Sequence, residues 1–219
     1  MARVVGLLPA SGNATRIGNI PKFCFPIDDS VNLVQWHVNL MLDVCDRVHI
    51  STKREWMPIL NNIKFPKNVF IYEIEPSTQP DAMAKMIIDK SDKHLMGMPD
   101  TFIKNLKSNF YRDMSEIDSE IVLSAFKYTN NHLGSVGQID IDKDNNVIDL
   151  VDKDPTCLYN YIYGAVSFNN IEINSKDLHL GNKINSCIKN GLSVKAVLID
   201  GDYIDAGTIR GLRLLYKGE

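Results

Sequence analysis

Within the first hundred residues, short apolar runs alternate with segments of helical periodicity, and this constrains the fold more than any other feature. Val4 to Ala10 is an apolar run that stops at Ser11-Gly12-Asn13. It reads as a central strand buried on both faces. Leu33, Trp36, His37, Leu40, Met41 and Val44 then recur at helical spacing, which places a helix over about Asn32 to Cys45. Val48 to Ser51 reads as a second strand and Arg54 to Asn62 as a helix, with Pro58 an objection to its regularity. Val69 to Ile74 is a third strand. A helix from Asp81 to Asp89 starts just after Pro80, and His94 to Met98 is a fourth strand that ends at Pro99-Asp100. Strands alternating with helices at this spacing predict a parallel sheet covered on both faces. Right-handed crossovers then line up the strand C-terminal ends along one edge, where ligands of such sheets bind.

The pattern changes after Asp100. Ile103 to Tyr111 reads as helical and Glu120 to Tyr128 as a strand. Val136 to Asp140 and Val147 to Asp152 flank a turn sequence and read as a hairpin. Strands at Tyr161 to Asn169 and Val194 to Ile199, a strand or its end at Tyr203 to Thr208, and helices at Gly181 to Asn190 and Ile209 to Lys217 follow. The expected fold is α/β: a three-layer, Rossmann-like sandwich around a mixed, mostly parallel sheet. At roughly 150 residues per domain, 219 residues make one domain. Its two halves are about 1–102 and about 103–219.

Composition excludes several classes. Hydrophobic residues are 44% and charged residues 23%, the proportions of a globular protein. A net charge of -3 argues against a protein that tracks the phosphate backbone of nucleic acid. An anionic small ligand would therefore need locally placed cations. Cys24, Cys45, Cys157 and Cys187 form no CxxC pair, so a zinc site has little support. They read as reduced thiols in a cytoplasmic protein. No run approaches the roughly 18 apolar residues of a membrane span. The apolar start is broken by Gly6 and Pro9 and reads as a buried strand, not a signal peptide.

The chemistry concentrates at the strand ends. The first strand runs into SGNATRIGNIPK, which is neither a Walker loop nor a GxGxxG fingerprint, since the latter fails at Ala14 and Ile17. Even so, Ser11, Gly12, Asn13 and Ala14 are small enough for backbone N–H groups to approach a phosphate or base. Arg16 offers a bidentate fork for phosphate and Lys22 a point charge. The plainer alternative is a surface loop with two solvated cations. Asp100 and Asp205 each end an apolar strand, and together they could hold Mg²⁺ bridging phosphates. Each alone could equally be a turn or N-cap aspartate. Asp152 and Lys153 end a hairpin strand and could meet a second phosphate, or be a solvated pair. Gly164 suits close passage of a ligand over the next strand. The histidines read as core or loop residues, His37 above all, and no Ser–His–Asp or Cys–His arrangement is defensible from spacing.

Several of these segments, in order, resemble the sugar-1-phosphate nucleotidyltransferases (nucleotide-sugar pyrophosphorylases), in the style of glucose-1-phosphate thymidylyl- and uridylyltransferases. Leu7 to Arg16 followed by Pro21-Lys22 is similar to the family's GxGTR loop and Pro-Lys. Pro80 to Lys85 resembles its base-contacting PDGLAQA segment, and Pro99-Asp100-Thr101 its metal aspartate. Asp152-Lys153 resembles its Glu-Lys-Pro, and Asp205-Ala206-Gly207-Thr208 its Asp-x-Gly-Thr. The likeness covers roughly Val4 to Leu215. Ala14 and Ala82 stand where the family has glycine, Lys85 where it has glutamine, and Asp154 separates Lys153 from Pro155, which marks a divergent member.

The resemblance implies a GT-A-like nucleotidyltransferase fold and a reaction of an NTP with a sugar 1-phosphate, giving an NDP-sugar and pyrophosphate with Mg²⁺ as cofactor. It favours dTTP or UTP over CTP. Arg16, Lys22 and Lys153 would be catalytic, and Ala10, Ser11, Gly12, Asn13, Gln79, Asp81 and Ala82 would bind the nucleotide. Gly134, Asp152, Lys153 and Gly164 would bind the sugar phosphate, and Asp100 and Asp205 the metal, so that about 1–102 would be the nucleotide-binding half and about 103–219 the sugar-phosphate-binding half of one catalytic domain. No nucleic-acid or membrane partner is implied, and a homo-oligomer is compatible with the sequence. The rival readings are a cytidylyltransferase acting on a polyol phosphate and a non-catalytic nucleotide-sugar sensor. A glycosyltransferase would need its DxD motif at Asp140-Ile141-Asp142 or Asp152-Lys153-Asp154, both at hairpin turns.

Overall fold

The computed structural model describes residues 3–13, 17–132, 134 and 136–217. Among the described residues, eleven strands and six α-helices follow one another. The alternating first half holds β1 (Val4–Pro9), α1 (Leu33–Leu42), β2 (Arg47–Thr52), α2 (Met57–Asn61), β3 (Val69–Glu73), α3 (Gln79–Met86) and β4 (Lys93–Gly97). After it come β5 (Thr101–Lys104), α4 (Phe110–Ser115), β6 (Ile121–Lys127), β7 (Gly137–Ile141), β8 (Val147–Asp152) and β9 (Tyr161–Phe168). The chain closes with α5 (Leu180–Lys189), β10 (Val194–Leu198), β11 (Asp202–Asp205) and α6 (Ile209–Lys217).

The main sheet has the order β10-β6-β9-β4-β1-β2-β3. β3, β2, β1 and β4 are parallel neighbours, as are β6 and β10. β9 is antiparallel to both β4 and β6, so along this path it alone runs against the rest. The sheet is therefore mixed but mostly parallel. β9 is also shared lengthwise: residues 165–168 pair with β4, while Tyr161 and Ile162 pair with β7 of the β7–β8 hairpin.

Alternation in β1 sets the layers. Leu8 points to a core made with Val34, Val38 and Met41 of α1, Leu60 of α2 and Phe110 and Met114 of α4. Val5 and Leu7 point to the opposite core, with Met83 and Met86 of α3 and Leu180, Ile184 and Cys187 of α5. Two apolar cores separated by one sheet make a three-layer sandwich. Gly6 lets α1 close on the sheet, since a Cβ there would stand 2.8 Å from Met41 Sδ. None of the four cysteines is in a disulfide. Among the described residues no helix is long and apolar enough to cross a membrane.

Local signals explain most boundaries. Asn32 caps α1 through a capping box with Gln35. Pro58 and Pro80 both fall in the first turn of their helices, where a missing N–H breaks no helical bond. The expected start of α3 after Pro80 is corrected to Gln79, capped by the Thr78 hydroxyl. The expected helix over Ile103 to Tyr111 is also corrected. Residues 101–104 form β5, antiparallel to β11, and α4 starts only at Phe110, behind its Asn109 cap. Asn105, at φ 59°, ends β5 in the left-handed region that asparagine tolerates.

Candidate active site

β1 and β4 are parallel neighbours, so the segments that leave their carboxyl ends open onto the same edge. A cleft of about 510 Å³ lies there. It draws on the segment after β1, the Lys22 turn, the start of α3, Met98 to Thr101, Asp152-Lys153, Tyr163 and Asp205.

One corner gathers the charges. Lys22 sits on a single 3₁₀ turn, Lys22–Cys24, preceded by Pro21. Buried Phe23 anchors the turn, its ring 5.9 Å edge-on from that of Trp56. Lys22 Nζ donates to Asp100 Oδ2 at 3.0 Å. Asp205 is brought beside them by β11, whose Asp205 is the register partner of Thr101, and by the Ala206 N–H donating to the Asp100 carbonyl at 2.9 Å. Asp205 Oδ1 accepts from the Gly207 N–H at 2.9 Å. A Cβ on Gly207 would stand 2.6 Å from Lys22 Nζ, 2.7 Å from Asp100 Oδ2 and 2.8 Å from Asp205 Oδ1. All three atoms therefore surround one small space that exists only because residue 207 has no side chain.

That space tests the fit of a metal. The two aspartate oxygens are at most about 5.5 Å apart, and a hard cation with metal–oxygen distances near 2.1 Å can join them after a small side-chain rotation. Mg²⁺ takes one or two protein carboxylates and completes its shell with water and substrate phosphate. Among the described residues no group of three or more His, Cys, Asp or Glu gathers as a ready-made metal cage. A two-carboxylate site suits a cation that arrives with a phosphate ligand.

One wall of the cleft is built from two backbone segments. Ala10, Ser11, Gly12, Asn13, Gln79 and Ala82 all line the cleft. The Ala10 N–H is tied to the Ser51 carbonyl at 2.9 Å, and the Ser11 hydroxyl meets that of Ser51 at 3.3 Å. A Cβ on Gly12 would meet nothing within 4 Å. Lys53 Nζ donates to Asn13 Oδ1 and lies 5.2 Å from the centre of the Trp56 ring. Asp81 does not line the cleft. Its Oδ2 accepts from the Ser77 N–H at 2.8 Å and from Lys85 Nζ at 2.9 Å, and these bonds hold its carboxyl below the usual range. Asp81 and Lys85 therefore shape the entry to α3.

Across the cleft stand Asp152 and Lys153. Lys153 adopts φ 54°; the other non-glycine residues with positive φ among those described are all asparagines. A lysine in this region is under backbone strain that the surrounding structure must hold. Asp152 packs between two glycines, since a Cβ on Gly137 or Gly181 would lie 3.1 Å from its Oδ1 or 3.0 Å from its Cβ. Tyr163 lines the same wall, and burial, then the nearby Asp152 charge, raises its hydroxyl pKa. Gly164 and Gly134 do not line the cleft. A Cβ on Gly164 would face Tyr203 and Phe126, because alternate residues of β9 point to opposite faces. Gly134, at φ 66°, lies against Pro155.

Arg16 lies outside the described residues, as do Ala14 and Thr15. The structure brings together Lys22, Asp100, Asp205, Lys153 and Asp152 with residues 10–13, Gln79 and Ala82. Sequence reasoning did not single out Gly137, His179 or Tyr203 as cleft residues, though all three line it. Their only signal is proximity to strand and helix ends.

The architecture, a mixed and mostly parallel α/β sandwich with its cleft at the strand ends, is shared with solved nucleotidyltransferase structures. A UDP-glucose pyrophosphorylase complexed with UDP-glucose superposes with a TM-score of 0.78 at 14% identity, covering 100% of each chain. A putative glucose-1-phosphate thymidylyltransferase from Bacillus anthracis gives 0.75 at 13% identity, over 98% of this chain and 94% of the other. The inositol-1-phosphate CTP transferase from T. maritima gives 0.72 at 14% identity, over 96% and 91%. No protein-family model and no curated protein sequence matches the chain.

Proposed function

We propose that the chain is a sugar-phosphate nucleotidyltransferase, joining an NTP to a sugar 1-phosphate and releasing pyrophosphate. The observation that carries the reading is the meeting of Lys22 Nζ, Asp100 Oδ2 and Asp205 Oδ1 around side-chain-free Gly207, at the ligand edge of the sheet. An ammonium and two carboxylates at one point form a site for a phosphate with its counter-cation, and the full-length likeness to pyrophosphorylase structures agrees with it.

In this reading an oxygen of the sugar phosphate attacks the nucleotide α-phosphorus. The new P–O bond forms as the bond to the bridging oxygen breaks, and pyrophosphate leaves in line. The attacking oxygen is already ionised, so no protein base is required, and catalysis is alignment with charge neutralisation. Lys22 neutralises the α-phosphate, and exposed Lys153 holds the incoming sugar phosphate with Asp152 beside it. Asp100 and Asp205 would hold Mg²⁺, which supplies further positive charge at the transferred phosphoryl group. The 10–13 segment and the first turn of α3 flank the base, with dTTP or UTP favoured and CTP next. Arg16 takes the leaving pyrophosphate by resemblance. The reading also carries a cytoplasmic setting and one catalytic domain over the whole chain.

The test is pyrophosphate release from a panel of NTPs and sugar 1-phosphates with Mg²⁺, and inositol and other polyol phosphates in parallel arms. Turnover with a sugar 1-phosphate is expected. Turnover only with CTP and a polyol phosphate would move the assignment to the cytidylyltransferase reading, whose fold the chain also shares. Nucleotide binding without turnover in any arm would leave a sensor and end the catalytic reading.

A further inference from the structure

Asp100 and Asp205 are carried by a ribbon that lies outside the main sheet. β5 and β11 form a separate two-stranded sheet, with Asp100 just before the first strand and Asp205 ending the second. Apolar contacts press the ribbon on the body: Phe102 lies 5.1 Å from the Trp36 ring, and Tyr203 5.2 Å from that of Phe126. Such contacts are non-directional and do not fix where a strand sits along its own axis.

A buried histidine also ties each strand to the body. His37 of α1 donates its Nε2–H to the Thr101 carbonyl of β5 at 3.0 Å, and its Nδ1 accepts from the Tyr111 hydroxyl at 2.8 Å. His132, on the 3₁₀ turn Asn130–His132, donates its Nε2–H to the Tyr203 carbonyl of β11 at 3.1 Å. Its Nδ1 accepts from the Thr129 N–H at 3.1 Å. A carbonyl can only accept and a backbone N–H can only donate, so both rings carry their proton on Nε2. His37 is 1% and His132 5% exposed, so water does not compete for these bonds. Thr101 follows Asp100 directly, and Tyr203 precedes Asp205 by two residues.

We infer that His37 and His132 are positioning residues: a pair of neutral histidine clamps, one on each strand, that set the separation at which the Asp100 and Asp205 carboxylates share a divalent cation. The inference rests on the proposed reading of that corner as a cation site. Outer groups that orient metal ligands are worth about ten- to a hundredfold in metal affinity.

The test is Mn²⁺ binding to the purified chain, followed by electron paramagnetic resonance, so that no substrate or turnover is needed. His37→Leu and His132→Leu are each expected to weaken Mn²⁺ binding about tenfold. His37→Gln and His132→Gln place an amide N–H where Nε2 stood and are expected to recover most of that loss. Tyr111→Phe removes only the hydroxyl that orients His37, and a loss of about threefold is expected. His49→Leu is the control for mere destabilisation. His49 is equally buried and bonds the Met86 carbonyl at 2.9 Å, away from the ribbon. It should lower thermal stability while leaving Mn²⁺ affinity within about twofold. A wild type that binds no Mn²⁺, or binds it as Asp205→Asn does, overturns the cation site and the clamp with it. Binding by the wild type that the leucine and Tyr111→Phe variants leave unchanged, or that His49→Leu weakens as much, overturns the clamp alone.

Discussion

Lys22 Nζ lies 3.0 Å from Asp100 Oδ2, and the two residues are 78 positions apart in the chain. Their side chains are 17% and 26% exposed, so the pair is half-shielded and faces the cleft. An ammonium held by a carboxylate in this way is pre-positioned and need not reorganise when a phosphate arrives. Lys22→Ala is expected to lower kcat for pyrophosphate release at least about 100-fold, the scale of a lost electrostatic stabiliser. Thermal stability should fall by no more than about 1 kcal/mol, because the pair borders the open cleft, where water can solvate the carboxylate left behind. Near-normal turnover in this variant and in Asp205→Asn would refute the assignment.

Gly207→Ala tests the same corner by filling it. The new methyl would press on the tips of Lys22, Asp100 and Asp205 at 2.6 to 2.8 Å, so one of them must move. Tips of flexible side chains move at little cost to folding, whereas the geometry they make is lost. Turnover should fall at least about 100-fold with a melting temperature near that of the wild type. Gly211→Ala is the opposite case, because its methyl would collide with the Asp205 backbone carbonyl. That variant should lose about 1 to 3 kcal/mol of stability, read by urea unfolding.

The parts of the fold that were legible are those fixed locally. β1, α1, β2, β3 and β4 follow from periodicity and caps within a few residues of each site. β5 was not legible, because its partner β11 lies about a hundred residues away and four residues at 101–104 carry no period long enough to separate strand from helix. The same holds in the cleft. Lys22, Asp100 and Asp205 could be named from their motifs, since strand ends and turn residues are local. That Gly164 faces away while Tyr163 and Gly137 line the wall depends on the side of β9 turned to the cleft, and one step in register reverses it. Asp81 was matched to a motif, but its hydrogen bonds to Ser77 and Lys85 are visible only in three dimensions.

Lys153 combines a strained backbone with an exposed ammonium at the cleft. A non-glycine residue in the left-handed region costs about 1 kcal/mol, and glycine there costs nothing sterically. Lys153→Gly should therefore be as stable as the wild type or up to about 1 kcal/mol more stable by urea unfolding, the gain limited by the extra freedom of glycine in the unfolded chain. Its KM for the sugar phosphate should rise at least about tenfold, as expected for a lost charge-assisted phosphate contact. A variant that is both destabilised and fully active would contradict the strain and the role together.

His37 makes stability depend on pH. Burial holds its imidazole down to about 4, against an ordinary value of 6.5. As pH falls through 6.5 the unfolded chain takes up a proton at this side chain, while the folded chain does not do so until pH approaches 4. The unfolded state binds more protons across that window, so stability falls as pH falls, and the contribution is fully present above 6.5. The loss across the window is about 3 kcal/mol from this group alone. His49, His94 and His132 are also held down chiefly by burial and act in the same direction. Urea unfolding of the wild type and of His37→Gln at pH 7 and pH 4.5 isolates the term. The variant should be the less stable at pH 7, and its deficit should shrink by about 2 to 3 kcal/mol at pH 4.5, since glutamine takes up no proton. Parallel pH curves for the two proteins would mean that His37 is not held neutral in the fold.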